Sequence, residues 1–122
     1  MTTSNRRTPD VLLREMLECI QLVQGYLQGQ SEASLKQLRE KQDAVVRRLE
    51  ILGEAAQQLP ADWKAAHSQV PWRVIADMRN RLIHGYFTVD IAIVWRTATQ
   101  DLAPLEQQLQ AILANEFPPP AP

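Results

Sequence analysis

Residues 35–59 read LKQLREKQDAVVRRLEILGEAAQQL. Leu35, Leu38, Gln42, Val45, Leu49, Leu52, Ala56 and Leu59 recur along it in alternating steps of three and four, the spacing of a seam where one helix packs against others. With Ser31 opening the segment and Pro60 closing it, one long helix is expected, because proline has no N–H to donate and its ring clashes with the preceding turn.

The same period extends to either side. Upstream, Asp10 can cap a helix in which Leu13, Leu17, Ile20 and Leu27 repeat, widened by Leu12, Met16, Val23 and Tyr26 and ending near Gly29. Downstream, a short helix is expected over Asp62 to His67, then one entered at Pro71 that carries Val74, Ile75, Met78, Leu82 and Ile83, with Gly85 as its terminator. Asp90 can cap the last helix, whose stripe is Ile91, Val94, Ala98, Leu102, Leu105, Leu109 and Ile112, with a kink at Pro104. Strand-like alternation of useful length is absent. The fold expected is therefore all-α, an antiparallel four-helix bundle with an additional short helix. Its domain spans residues 10–115, between a polar N-terminal tail (1–9) and a Pro-rich C-terminal tail (116–122).

The chain has 122 residues, enough for one core, with 13 Lys and Arg against 14 Asp and Glu. No global positive field draws it to nucleic acid, so any such contact must be local. Cys19 is the single cysteine, which excludes an internal disulfide and suits a core filler in a reducing compartment. No signal-peptide order and no apolar run of roughly 20 residues is present, so the protein is expected in the cytoplasm and away from membranes. With two histidines and no ligand cluster at metal-binding spacing, neither a metal nor another cofactor is expected.

One segment departs from the polar-out, apolar-in pattern: Met78-Arg79-Asn80-Arg81-Leu82-Ile83-His84-Gly85-Tyr86-Phe87. A histidine near neutral pKa can take the proton of a ribose 2′-hydroxyl, and a guanidinium can hold phosphorane oxygens bidentately; together they suit phosphodiester cleavage. On an ideal helix Arg79 and His84, five apart, point roughly 140° away from each other, so either Gly85 loosens the turn or a second subunit completes the site. A solvated helix end with a satisfied histidine is the plainer alternative for these residues. His67 lies in a surface-like stretch without partner ligands and reads as structural. Trp63, Trp72 and Trp95 read as packing anchors or dimer contacts.

Arg79, four residues, His84, one residue and Tyr86 resemble the Arg-x4-His-x-Tyr signature of the HepT-type HEPN ribonuclease toxins. The resemblance runs from about Asp10 to Leu113 through Gln42-Asp43-Ala44-Val45, Leu49-Glu50-Ile51-Leu52-Gly53-Glu54-Ala55-Ala56, Val70-Pro71-Trp72, Asp90 to Trp95 and Asp101-Leu102. It implies a HEPN-like bundle, a homodimer whose two motifs meet in one RNA-cleaving cleft without metal, and a role as the toxin of a toxin-antitoxin system. It also implies a minimal nucleotidyltransferase antitoxin of the MntA type, which transfers AMP to the signature tyrosine, here Tyr86, and which can join the dimer in a larger assembly. Arg79 and His84 then act as the catalytic pair, with Asn80 and Arg81 positioning substrate. Two other readings stay open on the sequence. One is a non-catalytic subunit that binds a nucleotide or docks a nucleotidyltransferase; the other is a purely structural bundle in which Arg79 and His84 only tie helices together.

Overall fold

In the computed structural model the chain folds as an all-α bundle; the residues described are 7–84 and 88–121, without the His84 side chain. In order they form α1 (Pro9–Leu27), α2 (Glu32–Leu35), α3 (Arg39–Gln58), α4 (Ala61–Ala65), α5 (Trp72–Ala76), α6 (Met78–Leu82), a ladder of β1 (Ile83–His84) and β2 (Thr88–Val89), α7 (Ile91–Arg96), a π-helical turn (Thr97–Asp101) and α8 (Leu102–Glu116). No helix among the described residues is long and apolar enough to cross a membrane.

Cross-links between helices fix their directions. Arg7 Nη2 donates to Gln58 Oε1 at 2.9 Å, placing the start of α1 beside the end of α3. Gln24 Nε2 donates to Glu106 Oε1 at 3.1 Å, so α8 begins where α1 ends. Gln57 Nε2 donates to the Ala76 carbonyl at 2.9 Å, and Glu50 meets Arg79 seven residues earlier on α3, so the α5–α6 arm runs back along α3. The layout is up-down-up-down, with α1 against α3 as the main contact. Leu12, Leu13, Met16, Ile20 and Val23 of α1 meet Val45, Leu49 and Leu52 of α3 in one core that also holds Leu82, Leu102 and Leu109. Cys19 is buried among them as expected, and its burial pushes the thiol up against the lowering effect of the Arg48 guanidinium.

Several boundaries differ from expectation. Thr8, not Asp10, is the N-cap of α1; Pro9 takes the first helical position and Asp10 lies in the first turn, where its charge faces the positive end of the dipole. Gly29 has φ 76°, the left-handed conformation that ends the segment after α1. The long helix expected from Ser31 to Leu59 is divided. A capping box joins Ser31 and Ser34, α2 ends at Leu35, and Gln42 Nε2 reaches back 2.8 Å to the Leu35 carbonyl that the break leaves open. Leu38, at the break, is the seam residue that remains exposed. At the other end Asp90 caps α7 as expected, its carboxylate accepting from Ile93 N at 3.2 Å. The irregularity expected at Pro104 takes the form of the π turn just upstream, where Thr97–Asp101 widen the ladder before a residue that cannot bond back to Gln100.

Candidate active site

The arm entered at Pro71 is not one helix to Gly85. It breaks at Asp77 (φ −92°, ψ 15°) and ends at Leu82, after which Ile83 is extended (φ −119°, ψ 122°). Ile83 pairs with Val89 and His84 with Thr88, and Asp90 N donates to the Leu82 carbonyl at 2.9 Å, so the chain leaves the helix through an antiparallel ladder. The Ile83–Val89 pair, β-branched on both sides, suits that pleat. The angle of roughly 140° belongs to an ideal helix through both residues. Here Arg79 is on α6 and His84 on β1, so that angle does not describe the pair and no longer argues for a second subunit.

Three residues of α3 shape the arm from outside. Gln57 satisfies the Ala76 carbonyl at the break. Gly53 lets the arm close in: a Cβ there would stand 2.8 Å from the Ile75 carbonyl oxygen and 3.4 Å from Met78 Cβ. Glu50 Oε2 lies 3.3 Å from Arg79 Nε, with the glutamate side chain 21% and the arginine side chain 62% exposed. The arginine is thus held near its root while most of its surface is open to solvent, an arrangement suited to accepting an anion.

The other expected site residues fall as follows. Asn80 Nδ2 donates to Asp77 Oδ1 at 2.6 Å, so its amide stitches the α5–α6 break. Arg81 turns to the opposite side, where with Gln100, Asp101, Gln108 and Met78 it lines a cavity of about 450 Å³ between the arm and the start of α8. His84 is placed through its backbone alone. Tyr86 and Gly85 lie outside the described residues. Glu50 and Gln57 went unrecognised as parts of the site. A glycine flanked at three and four positions by polar residues on one helix face, as in Glu50-x2-Gly53-x3-Gln57, is the signal that could have marked them.

His67 is not a surface residue. Its ring stacks on Trp63 with centroids 3.9 Å apart, Nδ1 donates to the Trp63 carbonyl at 2.7 Å and Nε2 meets Glu116 Oε2 at 2.5 Å. Trp72 Nε1 donates to the His67 carbonyl at 2.9 Å and packs edge-on to Trp63, so these two tryptophans are packing anchors. Burial disfavours charge on the imidazole, but the Trp63 carbonyl and the Glu116 carboxylate prevail and its pKa is raised. The role is structural, as expected, in a buried setting that was not.

The family model described as "Ribonuclease HepT-like" matches residues 16–112. A Thermococcus cleftensis protein named "Probable ribonuclease HepT" is 34% identical over 107 residues, covering 88% of this chain and 97% of that protein. A Methanocaldococcus jannaschii protein named "Gamma-glutamylcyclotransferase and putative RNase" is 33% identical over 108 residues, 88% of this chain but 49% of that protein, so the chain spans about half its length. No solved structure matches the chain.

Proposed function

Because this chain belongs to the HepT-like ribonuclease family, we propose that it cuts RNA, with Arg79 and His84 as its catalytic pair. The observation that carries this reading is Arg79 itself: a guanidinium in an ion pair with Glu50, 3.3 Å from its Nε, with most of its surface open to solvent, five residues before the motif histidine. In the reaction His84 takes the proton from a ribose 2′-hydroxyl, whose oxygen attacks the adjacent phosphorus. Arg79 neutralises the charge that develops on the non-bridging oxygens, and the bond from phosphorus to the 5′-oxygen breaks, leaving a 2′,3′-cyclic phosphate and a 5′-hydroxyl that takes its proton from water. No step calls for a metal. Asn80 and Arg81 position substrate at one remove from this pair, Asn80 by fixing the turn before Arg79 through Asp77 and Arg81 from the cavity on the other side of α6.

The finer reading is a toxin that works as a homodimer, with residues 10–115 as its working unit, in the cytoplasm of a cell that also makes a minimal nucleotidyltransferase antitoxin. Support for the dimer and the antitoxin is the family resemblance. The antitoxin would transfer AMP from ATP to the Tyr86 oxygen, releasing pyrophosphate and leaving a phosphodiester with about one negative charge two residues along the chain from His84, which would repel RNA phosphate. Tyr86→Phe should then cut RNA yet escape neutralisation, read as intact mass after co-expression with that enzyme.

The test of the core reading is cleavage of RNA by the purified chain and its Arg79→Ala and His84→Ala variants. Both should lose cleavage, and Arg79→Ala should melt nearly as the wild type does, since an ion pair whose arginine is mostly exposed contributes only ~0–1 kcal/mol. Cleavage should persist in a chelator. Full activity in either folded variant would refute the assignment, and a large loss of stability without loss of cleavage would favour the structural-tie reading instead.

A further inference from the structure

We propose that Glu50 is a positioning residue for Arg79, holding the guanidinium by its Nε edge so that the terminal amino groups face the incoming phosphate. The proposal rests on the reading of Arg79 as the phosphate clamp of a ribonuclease. Arg79 is the second residue of a five-residue helix that follows directly on a break. A helix that short does not hold its own geometry, because nucleation fixes more dihedrals than its few hydrogen bonds repay.

What holds it is one face of α3. Gln57 binds the carbonyl of Ala76, the last residue before the break; Gly53 admits the Ile75 carbonyl and the Met78 side chain; Glu50 reaches Arg79. Positions 50, 53 and 57 are successive turns of one helix face, so a single rigid element sets both the backbone that carries Arg79 and the direction of its side chain.

Exposure tells which end of the pair is fixed. Glu50 is three-quarters or more covered and Arg79 mostly open, 21% against 62%. Because the arginine end is open to solvent, screening leaves the pair little to add to folding stability, so stabilising the fold is a poor reason for it. An untethered arginine, by contrast, spreads over many rotamers, and each must be given up when phosphate binds. Contact through Nε removes that freedom in advance and leaves the bidentate Nη edge unspent. The carboxylate also offsets part of the arginine's pull on phosphate. Orientation therefore has to outweigh charge, and the two effects separate in the amide variant: Glu50→Gln keeps an oxygen acceptor for Nε–H and drops the charge.

The experiment uses the full chain and an RNA oligonucleotide carrying a fluorophore and a quencher. Glu50→Ala should lower kcat on the order of 10- to 100-fold, with a smaller change in KM and nearly unchanged melting. Glu50→Gln should restore most of kcat. In an Arg79→Lys background, which has no Nε edge to hold, Glu50→Ala should add no further loss. The proposal is overturned if folded Glu50→Ala keeps wild-type kcat, if Glu50→Gln is as slow as Glu50→Ala, or if the two losses multiply. Should the wild type cut no RNA, the ribonuclease reading fails separately, and the Arg79 Nε–H proton resonance decides the positioning. A slowly exchanging signal in the wild type that disappears in Glu50→Ala sustains it, and a wild-type signal already in fast exchange sinks it.

Discussion

Gly53 has no side chain because the arm crossing α3 leaves no room for one. A methyl group 2.8 Å from the Ile75 carbonyl oxygen meets backbone, which cannot rotate away. Gly53→Ala should therefore cost about 1–3 kcal/mol, the range of overpacked cores, against the small gain alanine normally brings inside a helix. Thermal melting measures that loss, and cleavage should fall with it as α6 is pushed off Glu50. His67 governs a different property. Its pKa is raised in the folded state, so the proton is held more tightly folded than unfolded. The stability this confers is fully present below the unfolded value of about 6.5 and fades as pH rises through the folded value. Melting of the wild type relative to His67→Gln should thus be favoured at about pH 6 and the difference should shrink by about pH 8. The Glu116 side chain is 42% exposed, so solvent screening keeps the effect modest. A difference that grows with pH would contradict this account.

Among the elements, α7 depends on the cap at its start. Asp90→Ala removes the carboxylate that accepts from Ile93 N and should lower stability by about 1 kcal/mol, seen as a reduced denaturant midpoint with an unchanged slope. That cap was legible in the sequence, as were the helical period of every segment, the stop at Pro60 and the buried Cys19. The breaks were not. Each is satisfied by a side chain that the local pattern does not associate with it. Gln42 serves the Leu35 carbonyl from seven residues on, and Gln57 serves Ala76 from another helix. Periodicity reports which residues face the core, and Ile75, Met78 and Leu82 do face it while Val74, expected in the same stripe, is exposed; it does not report that the chain pauses between α5 and α6. The site was legible to the same depth. Arg79, Asn80, Arg81 and His84 stand out by residue type, whereas Glu50 reads as one more polar residue of α3 until the arm is seen against it. His67 was misjudged because Lys64-Ala65-Ala66 before it looks solvated, while the Trp63 and Glu116 contacts that bury it come from four residues back and from the far end of the chain.

At the scale of the whole molecule, the bundle has two unlike poles. At one, Thr88 and Val89 of the ladder lie beside Arg39, Gln42 and Asp43 at the start of α3. At the other, Arg7 reaches Glu15 and Gln58, and Glu116 is clasped by His67 just beyond the end of α3. Both ends of the described chain therefore emerge together, at the pole away from the one toward which α6 and its motif run. A second domain joined close to Arg7 or to Ala121 would start from that far pole of the bundle. The M. jannaschii relative, twice as long as its matching part, shows that a unit similar to this chain can be carried within a larger protein. A bulky soluble fusion at residue 1 or at residue 122 should accordingly leave RNA cleavage within about twofold of the free chain, whereas the same cargo inserted between Thr88 and Asp90 should abolish it.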